Sequence, residues 1–413
     1  MLKQQVVPEN VGLSTERLQR IRPVMQACVD QQQCAGVLTL IARRGQIVHL
    51  DCVGMMEIEA NKAMQPNAIF RIYSMSKPIT SVAALMLYEE GRFRLHDPVS
   101  KFLPPFKNTK VLVKATESGR LMLEDQEREM TMFDLLTHTS GLSYGFDPLC
   151  PIDKLYRKMY KELNILDHED RLIHPYGVSL TDIMPELAKI PLRYQPGTRW
   201  HYGLSTDLLG YVVQVIADMP FDEFLQQRIF TPLNMQDTGF YVPAEKVDRF
   251  AAMYGPAEQG GLRPIDAPAT SPYLQTQSFR SGGGGLVATA HDYLQFAQML
   301  FNQGEFNGVR LLSRKTVEFM TMNHLSENVL QPEFEAKYPG YGFGLGVRMV
   351  SNVAQAGHVG SEGMFNWGGA AGTDFWVDPK EELIAIIMPQ QLWDPSLKIS
   401  LDFRVLTYQA IID

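Results

Sequence analysis

The chain has 413 residues, of which 45% are hydrophobic and 20% are charged, as is usual for a globular protein with two or three domain-sized cores. Its formal net charge of −8 argues against nucleic acid or an anionic membrane as the main partner. The first residues lack the apolar core of a signal peptide, and no run approaches the roughly 18 apolar residues of a membrane-spanning helix. We therefore expect a cytoplasmic protein.

The cysteines and histidines show no metal-binding pattern. The four cysteines, Cys28, Cys34, Cys52 and Cys150, match neither a CxxC site nor a dense disulfide framework, so we expect buried free thiols. The nine histidines include no HExxH or comparable motif. We expect neither a metal nor an organic cofactor.

The N-terminal part of the sequence predicts strands followed by a helix. Residues 37–42 and 46–53 have the composition of two strands joined by a hairpin turn. Residues 78–90 are predicted to form a helix, and Gly91 is well placed to end it.

The middle of the chain has a different sequence pattern. Short helical segments alternate with loops rich in proline and glycine, and residues 255–285 are the poorest in regular pattern. From there on the sequence predicts two helices, then strands over 342–349, 373–377 and 383–388, and a helix over 397–412.

Strands at both ends around a helical middle predict the fold class. We expect an α/β (α+β) protein in which one antiparallel sheet, built from both ends of the chain, is flanked by helices. Residues 1–110 plus 286–413 would form this sheet domain, and residues 111–285 a mostly helical inserted domain. The interface between two such domains is a natural ligand site.

Ser74 and Lys77 are the first candidate catalytic residues. Their spacing at the start of a helix puts both side chains on one face, one turn apart. The hydroxyl then has a potential base within reach and lies among unpaired backbone N–H groups at the positive end of the helix dipole. This arrangement can activate a serine nucleophile without histidine.

Tyr202 is a second candidate. It follows a Pro-Gly turn and precedes a predicted helix, a position from which its phenol can enter a cleft. Beside a lysine ammonium, the pKa of a phenol can fall below its usual value of about 10, and the phenolate can act as a base. The alternative is a buried tyrosine with one structural hydrogen bond.

Glycines lead into the predicted strand at residue 373. Residues 365–373 read Phe-Asn-Trp-Gly-Gly-Ala-Ala-Gly-Thr, and glycines at the start of a strand let another backbone or a substrate approach closely. A strand-edge N–H beside the nucleophile's own N–H would form a two-donor oxyanion hole. A tight turn or bulge is the structural alternative.

These segments, in this order, resemble the serine β-lactamase-like superfamily, which includes class C β-lactamases, D-Ala-D-Ala carboxypeptidases and family VIII carboxylesterases. Residues 91–99 (Gly-Arg-Phe-Arg-Leu-His-Asp-Pro-Val), 135–142 (Leu-Leu-Thr-His-Thr-Ser-Gly-Leu) and 281–286 (Ser-Gly-Gly-Gly-Gly-Leu) are similar to further segments of that superfamily. The likeness runs from about residue 20 to the C-terminus and implies the β-lactamase/transpeptidase-like fold.

The resemblance also implies catalytic roles. Ser74 would be the acylated nucleophile, and Lys77 would share its proton. Tyr202 would be the general base or proton relay, the tyrosine of a Tyr-x-Asn motif. The backbone N–H groups of Ser74 and Ala370 would form the oxyanion hole.

Two departures from the superfamily pattern favour an uncharged substrate. Leu204 stands where Tyr-x-Asn has asparagine and cannot hydrogen-bond the side-chain amide of a β-lactam. Trp367-Gly368-Gly369 takes the place of Lys-Thr-Gly, so the cation and hydroxyl that hold a substrate carboxylate are missing, and one lost charged hydrogen bond costs about 1.5–3 kcal/mol. The tryptophan resembles family VIII esterases. We expect these three residues and Tyr144 to bind the substrate.

Two other segments compete for these roles. Ser143 lies in a Gly-x-Ser-x-Gly pattern typical of α/β-hydrolases, but the residues before it read as a helix and Pro148 soon follows, so we assign it to a loop. His358-Val359-Gly360 is a second candidate for the third element. We rank His358-Val359-Gly360 second, because the Trp-Gly-Gly segment is followed by strand residues at the spacing that the superfamily pattern predicts.

We therefore expect a serine carboxylesterase, similar to family VIII enzymes, that hydrolyses short-chain esters through an acyl-enzyme on Ser74. The alternatives are acyl transfer to an alcohol, a weak β-lactamase or D-aminopeptidase-type hydrolase, and a catalytically silent binding protein of the same fold. The expected partner is a small-molecule ester, and neither nucleic acid nor a membrane is expected.

Overall fold

The computed structural model of the chain describes residues 6–116, 119–166, 178–276, 278–327, 329, 332–392 and 398–413. Its strands, in chain order, are β1 (Gly36–Arg43), β2 (Gln46–Glu57), β3 (Lys62–Ala63), β4 (Ile69–Arg71), β5 (Lys110–Ala115), β6 (Leu121–Asp125), β7 (Met253–Pro256), β8 (Leu262–Asp266), β9 (Val287–Thr289), β10 (Glu305–Phe306), β11 (Val309–Arg310), β12 (Tyr341–Phe343), β13 (Arg348–Val350), β14 (Phe365–Gly368), β15 (Asp374–Asp378) and β16 (Leu383–Pro389). Its α-helices are α1 (Thr15–Leu18), α2 (Ile21–Asp30), α3 (Ser76–Glu89), α4 (Met132–Leu136), α5 (Pro151–Glu162), α6 (Leu180–Leu187), α7 (Ser205–Ala217), α8 (Phe221–Leu225), α9 (Ala290–Phe301), α10 (Arg314–Met320), α11 (Pro332–Lys337), α12 (Val353–Ala356) and α13 (Ile399–Tyr408).

An eight-stranded antiparallel sheet is the centre of the fold. Its strands lie in the order β12-β13-β14-β15-β16-β1-β2-β3, so the two ends of the chain meet where β1 pairs with β16. Every residue of these two strands is buried, as expected for apolar central strands covered on both faces. The predicted mixed α/β class, with one antiparallel sheet built from both ends of the chain and flanked by helices, is confirmed.

Helices cover both faces of this sheet. On one face, Trp376 of β15 meets Phe403 of α13 edge to face, with ring centroids 5.5 Å apart. On the other face, the Tyr293 ring of α9 lies 4.8 Å from Phe375. Successive residues of a strand point to opposite faces, so neighbouring aromatic residues of β15 anchor two separate cores.

The segment between the two parts of the sheet is rich in helices. α7 packs against α3, α4, α6 and α8, and the β7–β8 hairpin returns to the sheet, where the Tyr254 N–H donates to the Gln390 carbonyl oxygen (2.9 Å). The division into residues 1–110 plus 286–413 and residues 111–285 remains a prediction.

Two predicted elements differ in the structure. The strand predicted over 342–349 is two strands, β12 and β13, because the chain turns between them at Gly346, whose φ is +86°. The stretch 255–285, predicted as irregular, includes most of the β7–β8 hairpin. Residues 277 and 397, which belong to a predicted loop and a predicted helix, lie outside the described residues.

The cysteines follow the sequence prediction in part. Cys28, Cys34 and Cys150 are buried, Cys52 is half-buried, and none of the four forms a disulfide bond. The Cys28 and Cys34 sulfurs lie 3.2 Å apart. Within the described residues, no group of three or more His, Cys, Asp or Glu side chains could hold a metal ion. No helix of that part of the chain is long and apolar enough to cross a membrane.

A matched pair of leucines tests the assignment of α9 to the core. Leu294 on α9 is fully buried, whereas Leu401 on α13 is 48% exposed. Leu294→Ala leaves a cavity and is expected to lower the free energy of unfolding by about 3 kcal/mol. Leu401→Ala should change it by less than about 0.5 kcal/mol. Urea unfolding followed by circular dichroism measures both, and equal losses would contradict the assignment.

Candidate active site

Ser74 lies where the chain leaves a strand and enters a helix. β4 is followed by a 3₁₀ turn, Tyr73–Met75, and α3 begins at the next residue. Tyr73 has a φ of +43°, in the left-handed region that a tyrosine rarely adopts. Such backbone strain persists only where the surrounding structure holds it, and it is common at active sites. The strained residue directly precedes the predicted nucleophile.

The Lys77 amine has three polar partners in the site. Lys77 is fully buried, and its Nζ lies 3.3 Å from Ser74 Oγ, 3.0 Å from Tyr144 Oη and 2.6 Å from the Gly283 carbonyl oxygen. Burial lowers the pKa of Lys77 from 10.5 to about 7, although the negative charge of Asp207 opposes the fall. A large fraction of the amine is therefore neutral near pH 7.

The neighbours of Lys77 determine where the lone pair of its neutral amine points. The Gly283 carbonyl oxygen only accepts hydrogen bonds. Tyr144 Oη donates its own hydrogen to Asp207 Oδ2 (3.4 Å), so it accepts from Lys77. The two N–H groups of the neutral amine are thus used on Gly283 and Tyr144. The lone pair is left for the Ser74 hydroxyl.

Tyr202 contacts Ser74 from another direction. Its Oη lies 2.7 Å from Ser74 Oγ, and Lys77 Nζ lies 4.6 Å from the centre of its ring. Burial raises the pKa of Tyr202 above its usual value, and the Ser74 hydroxyl and the Trp367 indole offset only part of this rise. The expectation that Tyr202 ionises readily beside lysine is therefore wrong, because burial outweighs the contacts that lower its pKa. Its phenol is protonated at neutral pH and donates to Ser74.

Asp207 is a buried carboxylate of the site that no sequence motif indicated. It lies in the first turn of α7, where Oδ1 accepts hydrogen bonds from the Ser281 hydroxyl and from the Gly283 N–H (3.2 Å). Burial raises the pKa of Asp207, whereas Lys77 and these hydrogen bonds lower it. In the sequence, the only indication of Asp207 is its position at the start of a helix shortly after Tyr202.

The glycine-rich segment forms a tight turn between β14 and β15. The Gly369 N–H donates to the Thr373 carbonyl oxygen (2.7 Å). A Cβ added at Gly369 would lie 2.4 Å from the Ile72 carbonyl oxygen, so the turn packs against the backbone just before the nucleophile. Within the described residues, the N–H groups of Ser74 and Ala370 donate no hydrogen bond. Both are available to a substrate oxygen.

The remaining predicted substrate residues differ in position. The Trp367 ring is buried and lies 5.7 Å from the Tyr202 ring, so an apolar group borders the nucleophile there. Gly368 ends β14 and leads into the turn. Tyr144, predicted only as a substrate-binding residue, also holds the Lys77 amine. Leu204 is buried in the core.

The two competing side chains, Ser143 and His358, have other partners. Ser143 is 1% exposed in a loop, where its Oγ lies 3.0 Å from His201 Nε2. His358 Nε2 lies 2.5 Å from Tyr341 Oη and 3.0 Å from Arg404 Nη1 of α13. Neither side chain is among the described hydrogen-bond partners of Ser74.

Comparison with known protein families identifies the fold family. The profile of the family described as Beta-lactamase matches residues 21–405, nearly the whole chain. The chain belongs to the beta-lactamase family. The predicted superfamily is therefore confirmed.

Individual members of the beta-lactamase family resemble the chain over most of its length. Protein Rv1367c of Mycobacterium tuberculosis (strain ATCC 25618 / H37Rv) is 35% identical, over 91% of this chain and 90% of that protein. Esterase EstB of Burkholderia gladioli is 27% identical, over 91% of each. The solved structure of EstCE1, a hydrolase with promiscuous acyltransferase activity, has a TM-score of 0.78 and 26% identity, over 95% of this chain and 99% of that one. These relatives support a serine hydrolase-type enzyme.

The influence of Asp207 on Lys77 can be measured. Asp207→Asn removes the charge that favours the ammonium, so the pKa of Lys77 should fall below about 7. The rate at which Ser74 reacts with an activated phosphonate falls at low pH as Lys77 becomes protonated. In the variant, this acid limb of the pH–rate profile should move to lower pH together with the pKa of Lys77. Asp292→Asn is the matched control, because Asp292 is a buried aspartate with a raised pKa that binds Thr238 instead. A limb that stays in place or moves to higher pH would refute this role.

The close approach of the glycine turn gives a second prediction. Gly369→Ala places a methyl group 2.4 Å from the Ile72 carbonyl oxygen, so the turn must move away from Ser74. We expect kcat for a nitrophenyl ester to fall on the order of 100-fold, as when one oxyanion donor is lost. Gly239→Ala, whose nearest contact would be 3.9 Å, should leave kcat unchanged. An active Gly369→Ala variant would argue against an oxyanion hole at this turn.

Proposed function

We propose that this member of the beta-lactamase family is a serine carboxylesterase that hydrolyses short-chain esters through an acyl-enzyme on Ser74. The observation that carries the proposal is the buried Lys77 amine, which has a pKa of about 7 and lies 3.3 Å from Ser74 Oγ. The likeness to esterase EstB and to the hydrolase EstCE1 supports the proposal. The proposal includes a specificity like that of family VIII enzymes and a cytoplasmic location.

Acylation begins with neutral Lys77. It accepts the Ser74 hydroxyl proton while Oγ attacks the ester carbonyl carbon. The charge on the carbonyl oxygen is stabilised by the Ser74 and Ala370 N–H groups. Tyr202 gives its phenol proton to the leaving alcohol, and the proton held by Lys77 restores the phenol. The Lys77 amine and the Tyr202 phenol are both neutral again after the alcohol departs.

Deacylation repeats these steps with water in place of the alcohol. Tyr202 and Lys77 remove a proton from the water as it attacks the acyl carbon, and the tetrahedral oxyanion again faces the two N–H groups. The proton then returns to Ser74 Oγ as the acid is released. Both half-reactions require a neutral Lys77, so activity should fall as pH drops below about 7.

Trp367 and Leu204 favour an uncharged ester over a β-lactam. The Trp367 ring supplies apolar surface and no cation for a carboxylate, and Leu204 is buried without a hydrogen-bonding side chain. A weak β-lactamase or D-aminopeptidase-type activity is therefore the lesser candidate. Turnover of a cephalosporin that exceeds turnover of a short-chain nitrophenyl ester would reverse this ranking.

Acyl transfer is a second candidate, favoured by the likeness to EstCE1, a hydrolase with promiscuous acyltransferase activity. An alcohol acceptor would replace water in the second half-reaction, and the same residues would handle its proton. Product ratios with and without an acceptor alcohol measure the partition between hydrolysis and transfer.

Mass spectrometry after exposure to an activated phosphonate tests the proposed nucleophile. We expect covalent mass on Ser74, and Ser74→Ala should lose the label and at least about a thousandfold in kcat. Ser143→Ala is the matched control and should keep both, because Ser143 is buried beside His201. Mass on Ser143 would refute the assignment, and mass on neither serine would favour a catalytically silent binding protein.

A further inference from the structure

A row of aromatic rings leads from the nucleophile to the protein surface. The centroid distances are 5.7 Å from Trp367 to Tyr202, 5.2 Å from Tyr202 to Tyr144 and 4.8 Å from Tyr144 to Phe146, the last two rings stacked with planes 14° apart. Trp367 is buried, whereas Phe146 is 51% exposed. The apolar surface of the site therefore continues to solvent at Phe146.

The loop that carries Phe146 is held firmly by α5. Side chains of that helix bind the loop backbone on both sides of the ring: Tyr160 Oη donates to the Tyr144 carbonyl oxygen (3.1 Å), Arg157 Nε donates to the Gly145 carbonyl oxygen (3.0 Å), and the Asp147 N–H donates to Asp153 Oδ2 (2.8 Å). The exposure of Phe146 is thus set by the fold.

In the proposed reaction, Tyr144 borders the groups that handle the proton of the leaving alcohol. Tyr144 Oη contacts Lys77, and its ring packs against Tyr202, the two groups that carry the alcohol's proton in the proposed reaction. The leaving oxygen must come within hydrogen-bond reach of its proton donor. The rest of the alcohol then extends along Tyr144 towards Phe146.

We propose that Phe146 is a specificity-determining residue that binds a large apolar group on the alcohol side of the ester. This inference rests on the proposed esterase function. The substrates it names are esters of aromatic or extended apolar alcohols with a short acyl group. Phe146 does not take part in proton transfer, so its contribution belongs to KM and not to kcat.

The experiment compares two acetate esters of primary alcohols, ethyl acetate and 2-(2-naphthyl)ethyl acetate, in the full chain and in Phe146→Ala. Matched primary alcohols keep the leaving-group chemistry the same. We expect the variant to raise KM for the naphthyl ester about tenfold, the loss expected for an apolar contact with one ring. We expect kcat for that ester and kcat/KM for ethyl acetate to stay at the level of the unaltered enzyme.

Two control variants accompany this comparison. Phe146→Tyr keeps the ring and should keep the low KM, and Leu401→Ala removes an exposed side chain from α13 and should change neither ester. An unchanged KM in Phe146→Ala would overturn the inference, as would a larger effect on ethyl 4-phenylbutyrate, whose aromatic group is on the acyl side. If the unaltered enzyme hydrolyses neither acetate and Ser74 takes no phosphonate, the proposed function fails as well. Phosphonate on Ser74 with an unchanged KM overturns the specificity role alone.

Discussion

The burial of the Lys77 amine is the constraint on which the rest of the site depends. Removing an ammonium ion from water costs several kcal/mol, so burial favours the neutral amine. The negative charge of Asp207, which is linked to Lys77 through the Tyr144 hydroxyl, raises the pKa of the amine. The balance leaves a pKa of about 7. A more polar surrounding would keep the amine charged, and a site without the carboxylate would make it a weaker base.

Long-range contacts bring the parts of the site together. β4, which leads to Ser74, pairs with β9, which directly follows the segment that supplies the Gly283 carbonyl oxygen. On the other side, the β14–β15 turn of the main sheet rests on the Ile72 carbonyl oxygen. Arg71 of β4 is fully buried, and its guanidinium binds Asp266 Oδ2 (2.7 Å). The strand before the nucleophile is thus fixed by three distant parts of the chain.

The sequence could predict those features that are local in the chain. Ser74 and Lys77 share a helix start, and the sheet follows from apolar runs at both ends. Asp207 and Gly283 could not be predicted, because only tertiary packing brings them to Lys77. The direction of the Tyr202 pKa shift was missed for a related reason. A neighbouring lysine can be guessed from a motif, but the burial that raises the pKa of Tyr202 depends on the whole fold.

The two residues that depart from the superfamily pattern, Leu204 and Trp367, differ in how they relate to the proton-transfer groups. The polar partners of Lys77 are Ser74, Tyr144 and Gly283, and Leu204 contributes none of them. A leucine at that position therefore leaves the polar contacts of the lysine unchanged. Trp367 differs, because its ring packs against Tyr202 and its indole offsets part of the rise in the pKa of that phenol. A substitution at residue 204 can therefore leave the contacts of the base intact, whereas a substitution at residue 367 also changes the surroundings of the Tyr202 phenol.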